Sequence, residues 1–235
     1  MKLKRITFTG IDDTVNTSDL LRLIAVYPNV ELGILITSGL FINESKPRYP
    51  SLARIKEFLE ELPKKNLALH LCGSWSKGFF IGNLDAVQPL IRKVSRVQVN
   101  FHARHIKKYD IAMAAYGVLN QEIDEVILQA NHHNMPMIEN FLSMPCSHKF
   151  TALYDESGGA GIETDFSMLS DKILWGFAGG MSPDNIGRKL EGLNDMLPEK
   201  YVTWVDMETH IRDSKDCFSV EKCMQVMEGA KKYVV

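Results

Sequence analysis

The chain has 235 residues, 45% hydrophobic and 24% charged, which is enough for a sizeable buried core. Its 27 Lys and Arg against 29 Asp and Glu leave a net charge of −2, which excludes a general electrostatic attraction to nucleic acid or an anionic membrane. No run of 18 apolar residues occurs, and the amino terminus enters a strand pattern with no signal-peptide signature, so a cytoplasmic protein is expected.

Taken in chain order, the strand-like runs fall at 4–10, 30–36, 67–72, 96–102, 125–130, 149–155, 173–180 and 201–208. Helix-like segments alternate with them, at 18–27, 51–62, 84–94, 110–120, 135–142, 165–171, 183–193 and 219–233. Start signals support several: Thr17 or Ser18 before the first, Ser51 after Pro50, and Ser182-Pro183 at the seventh. Units of about 25–30 residues match right-handed βαβ repetition. The prediction is one α/β domain over residues 1–235, a single (β/α)8 barrel. An open doubly wound sheet is the alternative, and no GxGxxG follows the first strand.

Strands covered by helices on both faces should read as continuous apolar runs, yet several here alternate. His70 and Cys72 interrupt the third, Gln98, Asn100 and His102 the fourth, and Thr7 and Thr9 the first. A closed barrel gives such polar rows an enclosed place, its interior and mouth, where a ligand would sit. The strand carboxyl ends that would form this mouth are Thr9, Ser38, Cys72, His102, Asn131, Asp155, Gly179 and Glu208.

Two glycine-rich loops read as phosphate cradles. Residues 156–161 (ESGGAG) follow the sixth strand, and 177–186 (FAGGMSPDNI) follow the seventh and run into a helix. Glycine lets the backbone approach an anion, and a helix amino terminus adds a favourable dipole. Tight strand-to-helix turns are the alternative reading of the same residues. The histidines and acids near the mouth lack diagnostic metal-ligand spacing: His132 and His133 are adjacent and would point apart on a strand, so no metal is expected. His70 reads as a hydrogen-bonded interior histidine, and Met113, Met135, Met137, Met224 and Met227 as core filler. Cys72, Cys146, Cys217 and Cys223 show no CxxC spacing and read as reduced thiols.

The order of these motifs resembles phosphoribosylanthranilate isomerase, the (β/α)8 enzyme of tryptophan biosynthesis. The resemblance rests on ITFTG (6–10), KPRYPS (46–51), VQVN (97–100), ALYDESGGAG (152–161), FAGGMSPDNI (177–186) and VDMETHIRD (205–213). It implies an Amadori rearrangement of an aminoaldose phosphate, which needs a general acid and a general base. Asp155 falls on the family's acid position and Arg48 on its substrate-contacting arginine, whose natural partner is a carboxylate. Gly158, Gly159, Gly179 and Gly180 would hold phosphate, with Gln98, Asn100 and Arg212 as further ligand contacts.

The chain departs from the pattern where chemistry is expected. The family's first-strand cysteine base is replaced by Thr9, and the lysine two residues earlier by Thr7. A thiol ionises near ~8.5, whereas an aliphatic hydroxyl lies several units higher, so Thr9 is no ordinary base. Small residues of the last strand are replaced by Glu208, Thr209 and His210. Glu208 would repel phosphate unless Arg212 or another cation offsets it.

Replacement bases are Cys72, which an alternate strand brings near Thr9, and the loop acids Asp12 and Asp13. The expectation is an isomerase-type enzyme on a small phosphorylated metabolite, with the family's own activity not retained. Lyase, aldolase-type or hydrolytic chemistry using Glu208 and Asp206, and a catalytically silent ligand-binding barrel, are the alternatives. No cofactor is expected, nor a nucleic-acid or membrane partner, while oligomer formation stays open.

Overall fold

The computed structural model describes residues 1–39, 47–106, 109–119, 123–144, 147–156 and 174–235. Eight parallel strands close into a barrel in sequence order. They are β1 (Lys2–Thr9), β2 (Val30–Ile36), β3 (Leu67–Leu71), β4 (Arg96–Val99), β5 (Glu125–Ala130), β6 (Phe150–Tyr154), β7 (Trp175–Ala178) and β8 (Val202–Met207). The last pairs with the first, Phe8 opposite Met207 and Thr7 opposite Asp206, so no strand edge is left open. This is the (β/α)8 fold that the alternation of patterns predicts.

The helices are α1 (Thr17–Val26), α2 (Leu52–Glu61), α3 (Ser74–Phe79), α4 (Gln88–Ile91), α5 (Ile111–Leu119), α6 (Met135–Leu142), α7 (Ile186–Met196) and α8 (Val220–Ala230). Ser51 caps α2 as expected, its hydroxyl accepting from Arg54 N, and Ser219 caps α8 in the same way.

Elsewhere the boundaries differ from expectation. Asn16 precedes α1 and Thr17 is its first residue, whose hydroxyl goes to Glu57 (2.9 Å) instead of the helix end. α7 starts at Ile186 because Asn185 closes a turn first, accepting from Ser182 N (2.8 Å) and donating to Gly180 O (2.7 Å). The helix expected over 84–94 contracts to the single turn of α4, and α3 was not anticipated. The segment 165–171 lies outside the described residues. No helix among the described residues is long and apolar enough to cross a membrane.

Two apolar layers follow from the strand alternation. The larger joins Phe8, Leu32, Leu69, Val97, Leu128 and Phe177 to helix residues such as Leu20, Phe58, Leu190 and Val226. The smaller contains strand residues only (Ile127, Leu153, Ala178 and Trp204) and fills part of the barrel interior. Met137 and Met227 are core residues as expected, whereas Met113 (49% exposed) and Met224 (40%) are surface residues.

The rest of the lower interior is charged. Arg96 is fully buried and donates to Glu31 (2.7 Å) and Glu125 (2.8 Å). Thr7 adds a hydrogen bond to Glu31 (2.9 Å) and Thr151 one to Glu125 (2.8 Å), while the Arg96 guanidinium lies 4.5 Å from the Trp204 ring centre. Burial pushes the Glu125 carboxyl up, but Arg96 and Lys4 outweigh it and hold it below its ordinary range. Gly176 is required here, because a Cβ would stand 2.0 Å from the Trp204 ring.

Replacing Arg96 would leave the buried Glu31 with only the longer ion pair from Arg5 Nε (3.8 Å). The Arg96→Met variant is expected to lose about 3–5 kcal/mol of stability, read from the urea midpoint. A loss under about 1 kcal/mol would show that the floor does not depend on this pair.

Candidate functional site

At the carboxyl ends of the strands the barrel opens into a cavity of about 490 Å³, within the range of small-molecule sites. Its wall includes Thr9, Cys72, Gln98, Asn100, Asp155, Gly179, Gly180, Asp206 and Glu208, so the structure brings these expected site residues together. Arg48 and Arg212 do not line it. Gly158 and Gly159 lie outside the described residues.

Asp206 sits at the inner end of the cavity. It is buried, and the Thr9 hydroxyl donates to its Oδ1 (2.7 Å). Burial pushes its carboxyl up to about 8, against the Thr9 hydrogen bond, and the negative neighbours Glu208, Glu31 and Asp155 add to the rise. Asp206 therefore carries a proton at neutral pH. Asp155, at the end of β6, is also buried and accepts a hydrogen bond from Gln129 Nε2 (2.9 Å). Gln129 went unremarked in the sequence, although its alternate position in the fifth strand marks it as an inward residue.

Glu208 is neutralised within the protein. Arg48 Nη1 donates to its Oε1 (3.0 Å) and to Thr209 Oγ1 (3.2 Å), while Nε and Nη2 hold Asp216 (3.2 and 3.1 Å). Burial raises the Glu208 carboxyl above its ordinary range, with Arg48 opposing. Arg48 adopts φ +72°, a conformation that non-glycine residues rarely hold. Four of its five N–H donors are thus taken by Asp216, Glu208 and Thr209.

Arg212 plays a different part again. It pairs with Asp12, donates to Gly10 O (2.8 Å) and to Asp216 Oδ1 (2.9 Å), and so ties the loop after β1 to the loop after β8. Asp12 is that clamp's carboxylate, while Asp13 accepts from Ser51 N (2.9 Å) at the start of α2.

Cys72 is a free thiol held by Asn100 Nδ2 (3.5 Å). Burial pushes it up to about 11, with hydrogen bonds from Asn100 and Tyr49 opposing, so it stays protonated through the neutral range. Asn100 is fixed in turn by Gln98 Nε2 (2.9 Å). Cys217 and Cys223 are also free thiols. Cys146 lies outside the described residues.

The glycines after β7 have φ +120° (Gly179) and +62° (Gly180), which bends the chain over the cavity rim. Lys77, from the unanticipated helix α3, is the only lysine or arginine among the described wall residues. His132 and His133 do not point apart. They lie in the turn after β5 with ring centres 3.7 Å apart, and His102 stands 5.2 Å from His133. No group of three or more His, Cys, Asp or Glu able to hold a metal occurs among the described residues.

These features define a (β/α)8 barrel with an acid-lined mouth, and triosephosphate isomerase from Bartonella henselae shares the fold (11% identity, TM-score 0.52, 98% of this chain and 99% of that one). More particularly, the chain has the architecture of phosphoribosylanthranilate isomerase structures. The enzyme from Thermus thermophilus matches with 16% identity and TM-score 0.64, over 97% of this chain and 98% of that one. TrpF from Jonesia denitrificans matches with 14% identity and TM-score 0.59, over 97% of each chain. At these identities the likeness establishes the fold. No family model matches the sequence, and no curated protein does.

The raised Asp206 has a signed consequence. Its carboxyl ionises near 3.8 in the unfolded chain but keeps its proton to about 8 in the fold. The native state binds the extra proton across that window, so the stability from this group is lost as pH rises through it. Asp206→Asn is therefore expected to gain stability over the parent on going from pH 5 to pH 8, measured by urea midpoints. Parallel pH profiles for the two proteins would contradict the assignment.

Proposed function

We propose that this protein is an acid–base isomerase acting on a small phosphorylated, hydroxyl-bearing metabolite that lacks a carboxylate. The observation that carries the reading is the pair of buried carboxyl groups facing one cavity, of which Asp206 keeps its proton at neutral pH. Asp206 gives that proton to the substrate's carbonyl oxygen while Asp155, oriented by Gln129, removes a proton from the adjacent carbon, leaving an enediol. Asp155 then gives a proton to the former carbonyl carbon while Asp206 takes one from the neighbouring hydroxyl, which forms the isomer and resets both groups. In this reading Asp206, rather than Asp155, is the acid.

Charge around the cavity is consistent with an anionic ligand. Arg48, shared with Asp216, pairs with Glu208 at 3.0 Å, and protonated Asp206 adds no charge. Like charges ~4 Å apart would otherwise cost about 4 kcal/mol at an effective dielectric near 20. The rim glycines Gly179 and Gly180, facing the cavity, supply backbone for the phosphate.

The Amadori reaction itself fits less well. Thr9 stands where the resembled family has its base and instead donates to Asp206, and four of the five Arg48 N–H donors are taken by Asp216, Glu208 and Thr209.

The test is deuterium exchange in D2O across a panel of aldose and ketose phosphates, followed by NMR at the carbon beside the carbonyl. Exchange is expected for at least one member, with Asp206→Asn and Asp155→Asn each slowing it by about 10²–10⁴-fold. The parent rate should fall above pH 8 as Asp206 loses its proton. No exchange across the panel, or an unslowed Asp206→Asn, would overturn the reading.

A further inference from the structure

The inner end of the cavity contains a group that the acid–base reading leaves unused. His70 lies on β3 with 0% exposure, lines the cavity, and has no hydrogen-bond partner at either ring nitrogen among the described residues. The hydrogen-bonded interior histidine that its sequence position suggests is therefore not found. Its register neighbour on β4, Gln98, donates Nε2 to Asn100 (2.9 Å) and leaves Oε1 unpartnered. Gly33 shows where these groups point. A Cβ there would stand 2.9 Å from His70 Nε2 and 2.5 Å from Thr9 Oγ1, so the missing side chain lets the ring nitrogen and the hydroxyl converge over β2.

The chemistry of the missing partner follows from the donor and acceptor count. Burial, with Arg96 adding to it, pushes the His70 pKa down to about 3, so the ring is neutral and offers one N–H and one bare nitrogen. Gln98 Oε1 adds a second bare acceptor. A phosphate or carboxylate oxygen accepts only and would face two acceptors, while an ammonium donates only and would face the N–H. A hydroxyl does both, and two neighbouring hydroxyls supply the two O–H donors that the two acceptors call for.

We propose that His70 and Gln98 form a hydroxyl-binding subsite beside Thr9, which takes the polyol end of the ligand while the phosphate lies toward the rim. The ligand class rests on the isomerase reading; the subsite itself rests on the unpartnered groups.

Isothermal titration with ribitol 5-phosphate and with inorganic phosphate tests it, together with ¹⁵N spectra of the His70 ring. Ribitol 5-phosphate is expected to bind at least ten times more tightly than phosphate and to shift the His70 ring signals. Gln98→Leu and His70→Phe should each weaken ribitol 5-phosphate at least tenfold more than they weaken phosphate. Should His70→Phe not fold, Gln98→Leu and the parent ¹⁵N spectrum decide.

Unchanged ribitol 5-phosphate binding in the variants, or unmoved His70 signals in its complex, would overturn the proposal. Failure of both phosphorylated probes to bind would count against the isomerase reading alone. In that case unphosphorylated ribitol becomes the probe: shifted His70 signals support the subsite, and unshifted signals overturn it.

Discussion

A closed barrel excludes water from its lower interior, so every polar group placed there must find its partner within the protein. Arg96 meets that demand for three strands at once, joining Glu31 on β2 to Glu125 on β5 and lying across the Trp204 ring from β8. Thr7 and Thr151 add further hydrogen bonds to the two carboxylates. A buried ion pair adds little net stability over a well-packed apolar floor, but removing one member is costly. This floor thereby holds together strands whose upper ends carry the cavity.

Above the floor, the same exclusion of water changes what each acid can do. Among the described residues three carboxyl groups reach the cavity wall, and each has a different partner. Glu208 has a cation in Arg48, Asp155 an amide donor in Gln129, and Asp206 a hydroxyl in Thr9. The hydroxyl is the weakest compensation of the three, and the other acids lie close by, so Asp206 holds its proton. Thr9, which cannot itself serve as a base, takes its place in the site by orienting that carboxyl. Thr9, Glu208 and Arg48 thus belong to one charge arrangement.

Much of the fold was legible because the period-two and period-3.6 patterns alternate cleanly along the chain. β2, β5 and α6 run as their residues predict. The polar rows that broke the apolar strands turned out to mark the barrel interior, and most of the expected mouth residues do share one cavity.

What the sequence did not disclose was pairing across distant loops. Arg48 reads as a ligand contact from the family resemblance, and Arg212 as a cation that could offset Glu208 beside a phosphate. Their carboxylate partners Asp216 and Asp12 become visible only once the loops after β1, β2 and β8 meet. The turn that delays α7 likewise depends on the Asn185 side chain reaching back to Gly180. His70 was misread for the opposite reason: an interior position suggested a partner, and the fold supplies none among the described residues.

The proposed chemistry depends first on the proton held by Asp206. A carboxyl infrared titration, taken as the difference between the parent and Asp206→Asn, would follow that proton without any ligand. A protonated-carboxyl band that persists at pH 7 and titrates with a midpoint near 8 is the expected result. A carboxylate already ionised at pH 5 would contradict it, and would remove the acid from the proposed reaction.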